Sequence, residues 1–210
     1  MSKLSRILPL GGIAGPLVFS AVVIVSATWQ EDDYSHIHNF ISEMGASGIP
    51  HAAFMNYAGF IPGGLLLAGF GVALGMTLPT HRSSIIGAIL VTLFGLGIAA
   101  CGIFSCDPGC PLGDCTVENT LHNVIAPACF VCQIAGMITL GFLFRRLPEW
   151  RSLWRYSIVS GVLALVFLIG LVIFLETDVY KGLFQRLMLI TMFVWCGVVG
   201  WRVFRSDGNP

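Results

Sequence analysis

Between Phe104 and Asn123 the chain reads FSCDPGCPLGDCTVENTLHN, which sets three cysteines, two aspartates, a glutamate and a histidine between two long apolar runs. Thiols, carboxylates and imidazole are the groups from which metal centres, redox relays and general bases are built. In an oxidising compartment, cysteines at this density also staple loops. Cys106, Cys110 and Cys115 are odd in number, so one disulfide leaves one spare thiol, and three pairings meet that count. Zinc held by the thiolates, with His122 as fourth ligand, is the metal alternative, although the spacing matches no familiar paired-ligand knuckle. A further pair, Cys129-Phe-Val-Cys132, lies one helical turn apart and begins about 10 Å beyond His122 at a rise of about 1.5 Å per residue. A Cys-x-x-Cys there is either a redox pair or two small packing residues.

The elements that must position these groups follow from composition. Of 210 residues, 56% are apolar and only 10% charged, which describes a polytopic membrane protein. A bilayer core about 30 Å thick takes roughly 20 apolar residues of helix. Six runs qualify: Ile7–Thr28, Ala52–Leu78, Ser84–Phe104, Asn123–Phe144, Tyr156–Leu175 and Leu183–Phe204. Short polar connections leave no room for a separate soluble domain, so residues 1–210 read as one all-α, six-helix integral membrane domain. Span one has a basic start, but its apolar run is longer than a signal core and reads as an uncleaved helix. Net charge is zero and the basic residues form no stripe, which excludes a nucleic-acid partner.

Basic residues near span ends stay on the cytoplasmic side. Lys3 and Arg6 precede span one, Arg82 follows span two, Arg145, Arg146, Arg151 and Arg155 follow span four, and Arg202 and Arg205 close span six. The alternate connections carry Glu31, Asp32, Asp33 and Glu43, then Asp107, Asp114 and Glu118, then Glu176, Asp178 and Lys181. Both termini are therefore expected in the cytoplasm, with the cysteine loop outside, in the periplasm if the membrane is a bacterial inner membrane. In the first outer loop, Ile37, Phe40, Ile41 and Met44 share one side of a helical wheel, and His38, Asn39, Ser42 and Glu43 the other. That pattern predicts an amphipathic interfacial helix, N-capped by Ser35, favoured by Asp32 and Asp33, and ended by Gly45. Span two carries Gly59, Gly63, Gly71 and Gly75 at small-xxx-small spacing for close packing, with Pro62 as a kink site. Arg186, at the outer start of span six, either snorkels to lipid phosphate or serves the outer site as an anion contact.

The segments ISEMGASGIPHAAFMN, GFIPGGLLLAGFGVAL, GIFSCDPGCP and LHNVIAPACF together resemble a membrane family called domain of unknown function 998. Its pattern is Ile-Ser-Asp/Glu-Leu-Gly-Ala, an Asn opening the second helix, Asp-Pro after the third and His-Asn opening the fourth. Met44 stands where Leu is usual, and the extra loop cysteines mark a subgroup. The resemblance implies a six-helix fold and brings no activity. Its matching positions are Ser42, Glu43, Asn56, Asp107, His122 and Asn123, all at one outer depth, where a shared polar pocket is expected. A carboxylate orienting His122 as general base, with Ser42 or water as nucleophile, would make a hydrolase-like site. Glu43, Asp107 and His122 holding a divalent metal would make a metal-dependent one. Alternatively, Glu43 and His122 only pin the loop to the bundle, while Asn56 and Asn123 satisfy loop backbone.

With the loop cysteines, Cys129 and Cys132 are similar to the relay of membrane thiol–quinone oxidoreductases of the vitamin K epoxide reductase type, which implies a quinone cofactor. Those proteins carry their loop cysteines after the first span, whereas this loop follows the third. Three functions stay open: an outward-facing lipid-handling or lipid-modifying protein, taken first; a thiol–quinone oxidoreductase; and a non-catalytic lipid-binding or scaffolding protein. Membrane lipids are the expected partners in each.

Overall fold

The apolar runs become six helices long and apolar enough to cross a bilayer: α1 Leu8–Ala27, α2 Ala52–Thr77, α3 Arg82–Cys101, α4 Val117–Arg146, α5 Pro148–Ile173 and α6 Lys181–Ser206. The computed structural model describes residues 6–31, 33–113, 115–177 and 179–206; Lys3, Asp32, Asp114 and Asp178 of the charge pattern lie outside them. Among the described residues there is no strand. Each helix packs against its neighbours in the chain, α6 closes the ring on α1, and α2 also touches α6. Outward faces carry residues such as Leu17 and Ile24, which are 64% and 67% exposed. Large apolar side chains that find no protein cover need hydrocarbon around them, so the chain is a multi-pass membrane protein.

Interior packing rests on small residues and aromatic rings. A methyl placed on Gly64 of α2 would strike the Ala99 amide of α3, and one on Gly95 of α3 would strike the Ala68 amide of α2. The two backbones are thus in direct contact, which only glycine at both points permits. Phe19 meets the rings of Phe60 and Phe193 edge-on at 5.2 and 5.4 Å, and Trp195 donates its indole N–H to the Ser157 hydroxyl at 3.0 Å. Just before Pro62, the kink site expected from sequence, α2 makes a π-helical turn over Met55–Phe60. Pro62 has no N–H to continue the α-helical ladder, and the wider turn just before it accommodates the gap.

Two sequence expectations are corrected here. Helix α4 begins at Val117 and not at Asn123, because Thr116 caps it: the Thr116 hydroxyl accepts the Asn119 amide at 3.2 Å. The first loop also forms no continuous amphipathic helix. It makes a turn near 36–38 and then a short 3₁₀ helix, Ser42–Gly45. Side chains take backbone amides of this segment: Asn39 Oδ1 accepts from Ser35 N at 2.8 Å, and, at amides a helix would have used, Glu43 Oε1 accepts from Phe40 N at 2.8 Å and Gln185 Oε1 from Ile41 N at 2.8 Å. Ile41, Ser42 and Met44 are buried as a result, so the segment plugs the end of the bundle.

Gly95→Ala is expected to lower the melting temperature in detergent, at a cost of about 1–3 kcal/mol from overpacking. Gly69→Ala meets only the flexible end of Leu8, at 3.2 Å, and should stay within about 0.5 kcal/mol of the parent. Equal melting temperatures for the two variants would contradict the α2–α3 contact.

Candidate functional site

The described residues of the 28–51 and 102–116 connections fold over one end of the bundle as a cap. In the second of these, Asp107-Pro108-Gly109-Cys110 forms a tight turn. Cys110 N donates to Asp107 O at 2.8 Å, and Gly109 takes φ +79°, the conformation that Gly at the third position of a type II turn supplies. The turn brings Cys106 and Cys110 together in a disulfide. Both cysteines are buried with Ala46 against Phe40 and Ile49, which ties the two connections together. Ser47 N donates to Cys106 O at 2.8 Å, and Asn56, in the π turn, donates to Gly45 O at 2.9 Å and Ser105 Oγ at 3.0 Å. A side chain on Gly45 would strike the Asn56 amide oxygen, so the last residue of the 3₁₀ helix is glycine.

The sequence-predicted polar set does not converge on one point. Asp107 clasps Thr116, accepting from its amide and from its hydroxyl, both at 2.8 Å. Glu43 accepts from Asn39 Nδ2 at 2.7 Å and from Phe40 N, and lies 3.7 Å from Lys181. Arg186 does not extend outward: it turns into the cap, donating to Asn39 O at 2.8 Å and to the Tyr34 hydroxyl at 2.6 Å. The group that does come together is Ser42, His122 and Asn123, which line one cleft with Cys110 and Gln185. His122, 4% exposed, donates from Nδ1 to Phe104 O at 2.8 Å; since a carbonyl only accepts, Nε2 of the neutral ring carries the lone pair. Asn123 donates to Pro111 O at 2.8 Å, as does Asn119, at the same distance. Ser42 donates its hydroxyl to Cys110 Sγ at 3.4 Å, because a disulfide sulfur has no proton to give.

These positions bear on each chemistry in turn. Among the described residues His122 bonds the Phe104 carbonyl, whereas Glu43 bonds Asn39 and Phe40 N and Asp107 bonds Thr116. Among the described residues no three His, Cys, Asp or Glu side chains are grouped to hold a metal ion. The zinc set also loses two of its thiolates to the disulfide. Cys129 and Cys132 are free thiols, as is Cys115. The Cys129 thiol donates to Ala126 O in its own helix at 3.1 Å and packs on Gly97.

Beneath its polar end the cleft, about 140 Å³, is walled by Ala126, Pro127 and Phe130 of α4 and by Leu168, Leu171 and Val172 of α5. Val172, 62% exposed, and Pro127 stand at its mouth on the outward face of the bundle. Among the described residues no Asp, Glu, Lys or Arg lines it. Two residues that matter here were not assigned from sequence. Gln185 joins α6 to the first connection, and Asn119, fully buried, ties Asp107 N to Pro111 O. The signal for Asn119 was the Thr-x-x-Asn of a helix cap, hidden by the search for apolar runs.

The family model described as "Protein of unknown function (DUF998)" matches residues 13–202. No curated protein and no solved structure matches the chain.

Asp107→Ala and Thr116→Ala should each lower the melting temperature in detergent, by about 1–2 kcal/mol of stability. The double variant should cost little more than either alone, since both remove one clasp. Glu43→Ala, which strips two hydrogen bonds and an ion pair from the first connection, should cost about 2–4 kcal/mol. Additive Asp107 and Thr116 effects would show that the clasp is not a unit.

Proposed function

The chain belongs to the DUF998 family, and from that premise, which carries no activity with it, we propose that it binds a membrane lipid in the cleft between α4, α5 and the cap. The observation that supports this is the division of the cleft: uncharged polar groups at the cap end, an unbroken apolar wall below, and a mouth on the lipid-facing side. An amphiphile entering from the bilayer would meet hydrogen-bonding groups at headgroup depth and hydrocarbon beneath. His122 offers an acceptor at Nε2. Gln185, whose oxygen is taken by Ile41 N, offers its amide donors. With no formal charge in the lining, a neutral headgroup bearing hydroxyl or ester oxygens suits it better than an anionic one. Binding is favoured over hydrolysis because the Ser42 hydroxyl is engaged with the disulfide and His122 Nδ1 is taken by the Phe104 carbonyl, with no carboxylate on it among the described residues.

The lipid reading is tested with a photoactivatable diacylglycerol in reconstituted vesicles. Labelling is expected on α4 and α5 peptides and should be lost in Ala126→Trp, which fills the cleft, with the melting temperature retained. Undiminished labelling of the filled variant would sink the proposal.

Orientation completes the reading: both termini in the cytoplasm and the cap outside. At the far end from the cap, Arg145 and Arg155 flank the Trp154 ring at 5.4 and 5.2 Å, and Arg202 lies 5.3 Å over Trp150, a basic aromatic belt of the kind found on cytoplasmic faces. In a background without native cysteines, a cysteine between Trp29 and Pro50 should react with an impermeant maleimide in intact cells. One between Leu147 and Trp154 should react only after lysis. The opposite pattern would invert the topology.

A further inference from the structure

A second groove of about 240 Å³ lies between α1 and α6, apart from the His122 cleft, with Phe19, Val23, Ile190 and Phe193 along it and Arg186 and His36 at its cap end. The Arg186 guanidinium is half-buried, and the structure holds it still. Nη1 donates to Asn39 O at 2.8 Å and to Gly182 O at 3.1 Å. Nη2 donates to the Tyr34 hydroxyl at 2.6 Å, and that hydroxyl faces Phe40 O at 3.4 Å. Every one of these acceptors is uncharged. Among the described residues no carboxylate pairs with Arg186, and the ion pair of the cap, Lys181 with Glu43, is formed beside it.

A guanidinium has five N–H donors in a planar fork, and these contacts use three of them. Burying such a charge against neutral oxygens alone is costly, and a phosphate meets the remaining donors with the geometry the fork prefers. Because Asn39, Gly182 and Tyr34 already fix the side chain, a bound anion would lose little rotamer entropy in ordering it. His36 stands beside the guanidinium, its ring edge-on to Tyr34 at 5.4 Å. Burial, and then the Arg186 charge, hold its pKa below the usual histidine value, so near neutral pH it is a neutral ring. A neutral imidazole adds a hydrogen-bond donor without a second cation to desolvate. Below these groups the groove is apolar, apart from Ser20 of α1, for about two helical turns, from Arg186 to Phe193 on α6, at a depth where hydrocarbon chains lie.

We propose that the α1–α6 groove binds one anionic phospholipid, with its phosphate on Arg186 and His36 and an acyl chain along Val23, Ile190 and Phe193. This ligand differs from that of the His122 cleft, which has an uncharged lining, and neither site depends on the other.

The test uses delipidated full-length protein in a neutral detergent, titrated with phosphatidylglycerol, phosphatidylcholine or inorganic phosphate and followed by native mass spectrometry. One retained phosphatidylglycerol per chain is expected, with at least about tenfold weaker retention of phosphatidylcholine, whose choline offsets the phosphate charge, and no displacement by millimolar inorganic phosphate. Arg186→Gln should weaken phosphatidylglycerol binding by about tenfold or more, the scale of a lost charge-assisted hydrogen bond. Arg186 also braces the cap, so Ile190→Trp is the cleaner variant. It stands at a 58% exposed position, leaves the guanidinium in place and fills the groove; the same loss is expected. Ala126→Trp, in the other cleft, should leave phosphatidylglycerol binding unchanged. Full retention in Ile190→Trp, equal retention of phosphatidylcholine, or displacement by inorganic phosphate would each overturn the proposal.

Discussion

Hydrocarbon offers no hydrogen bonds, and the arrangement of this chain follows from that constraint. Inside the bilayer the helices satisfy their own backbone. The difficulty falls on the cap, where irregular chain from two connections closes one end of the bundle and must find partners for its amides and carbonyls. Side chains supply them: Glu43 and Gln185 take the amides of Phe40 and Ile41, while Asn119 and Asn123 both serve the Pro111 carbonyl. Most of the polar residues at this depth are therefore engaged in holding backbone. What is left over for a ligand is small and specific.

Helix contact imposes the second condition. Water does not drive transmembrane helices together, so their attraction depends on close approach. Gly64 and Gly95 bring α2 and α3 to backbone contact, and Gly15 and Gly63 do the same between α1 and α2, where an added methyl on Gly15 would come within 2.8 Å of the Gly63 carbonyl. The α1–α6 seam is equally close where Gly12 meets the Cys196 carbonyl, 2.6 Å from an added methyl, so one seam is tight at one level and open at another. The two openings described above lie where bulkier residues meet: α4 against α5 beside Phe130 and Leu171, and α1 against α6 beside Phe19 and Phe193.

Those openings differ in charge although both share the pattern of a polar head and an apolar floor. The disulfide lies against the uncharged cleft, where Cys110 accepts from Ser42, so the cap's covalent staple also shapes a wall of the cleft. The other groove is governed by a fixed guanidinium. Arg186 is held by the same turn, residues 34–39, that meets the start of α6, where Leu183 N donates to Ile37 O at 3.0 Å. One short connection thus braces α6 and sets the electrostatic character of the groove.

Apolar run length was sufficient, by itself, to determine six membrane helices, because a bilayer tests a segment chiefly by its own hydrophobicity. Local turn chemistry was also in the sequence, though not assigned from it: Asp-Pro-Gly-Cys carries the Pro favoured and the Gly needed at the two central positions of a type II turn. Tertiary structure decided the rest. The wheel pattern of 37–44 was a real periodicity, yet Gln185, from 144 residues away, and Glu43 bonded the amides that a helix needed. Likewise sequence distance from the span ends led to the expectation that Ser42, Glu43, Asp107 and His122 share a depth. Their positions around the bundle depended on which helix each connection crossed, and that put Ser42 and His122 on one cleft while turning Glu43 toward Lys181 and Asp107 toward Thr116. Depth is a property of a single segment, whereas angular position arises only from the packing of all six.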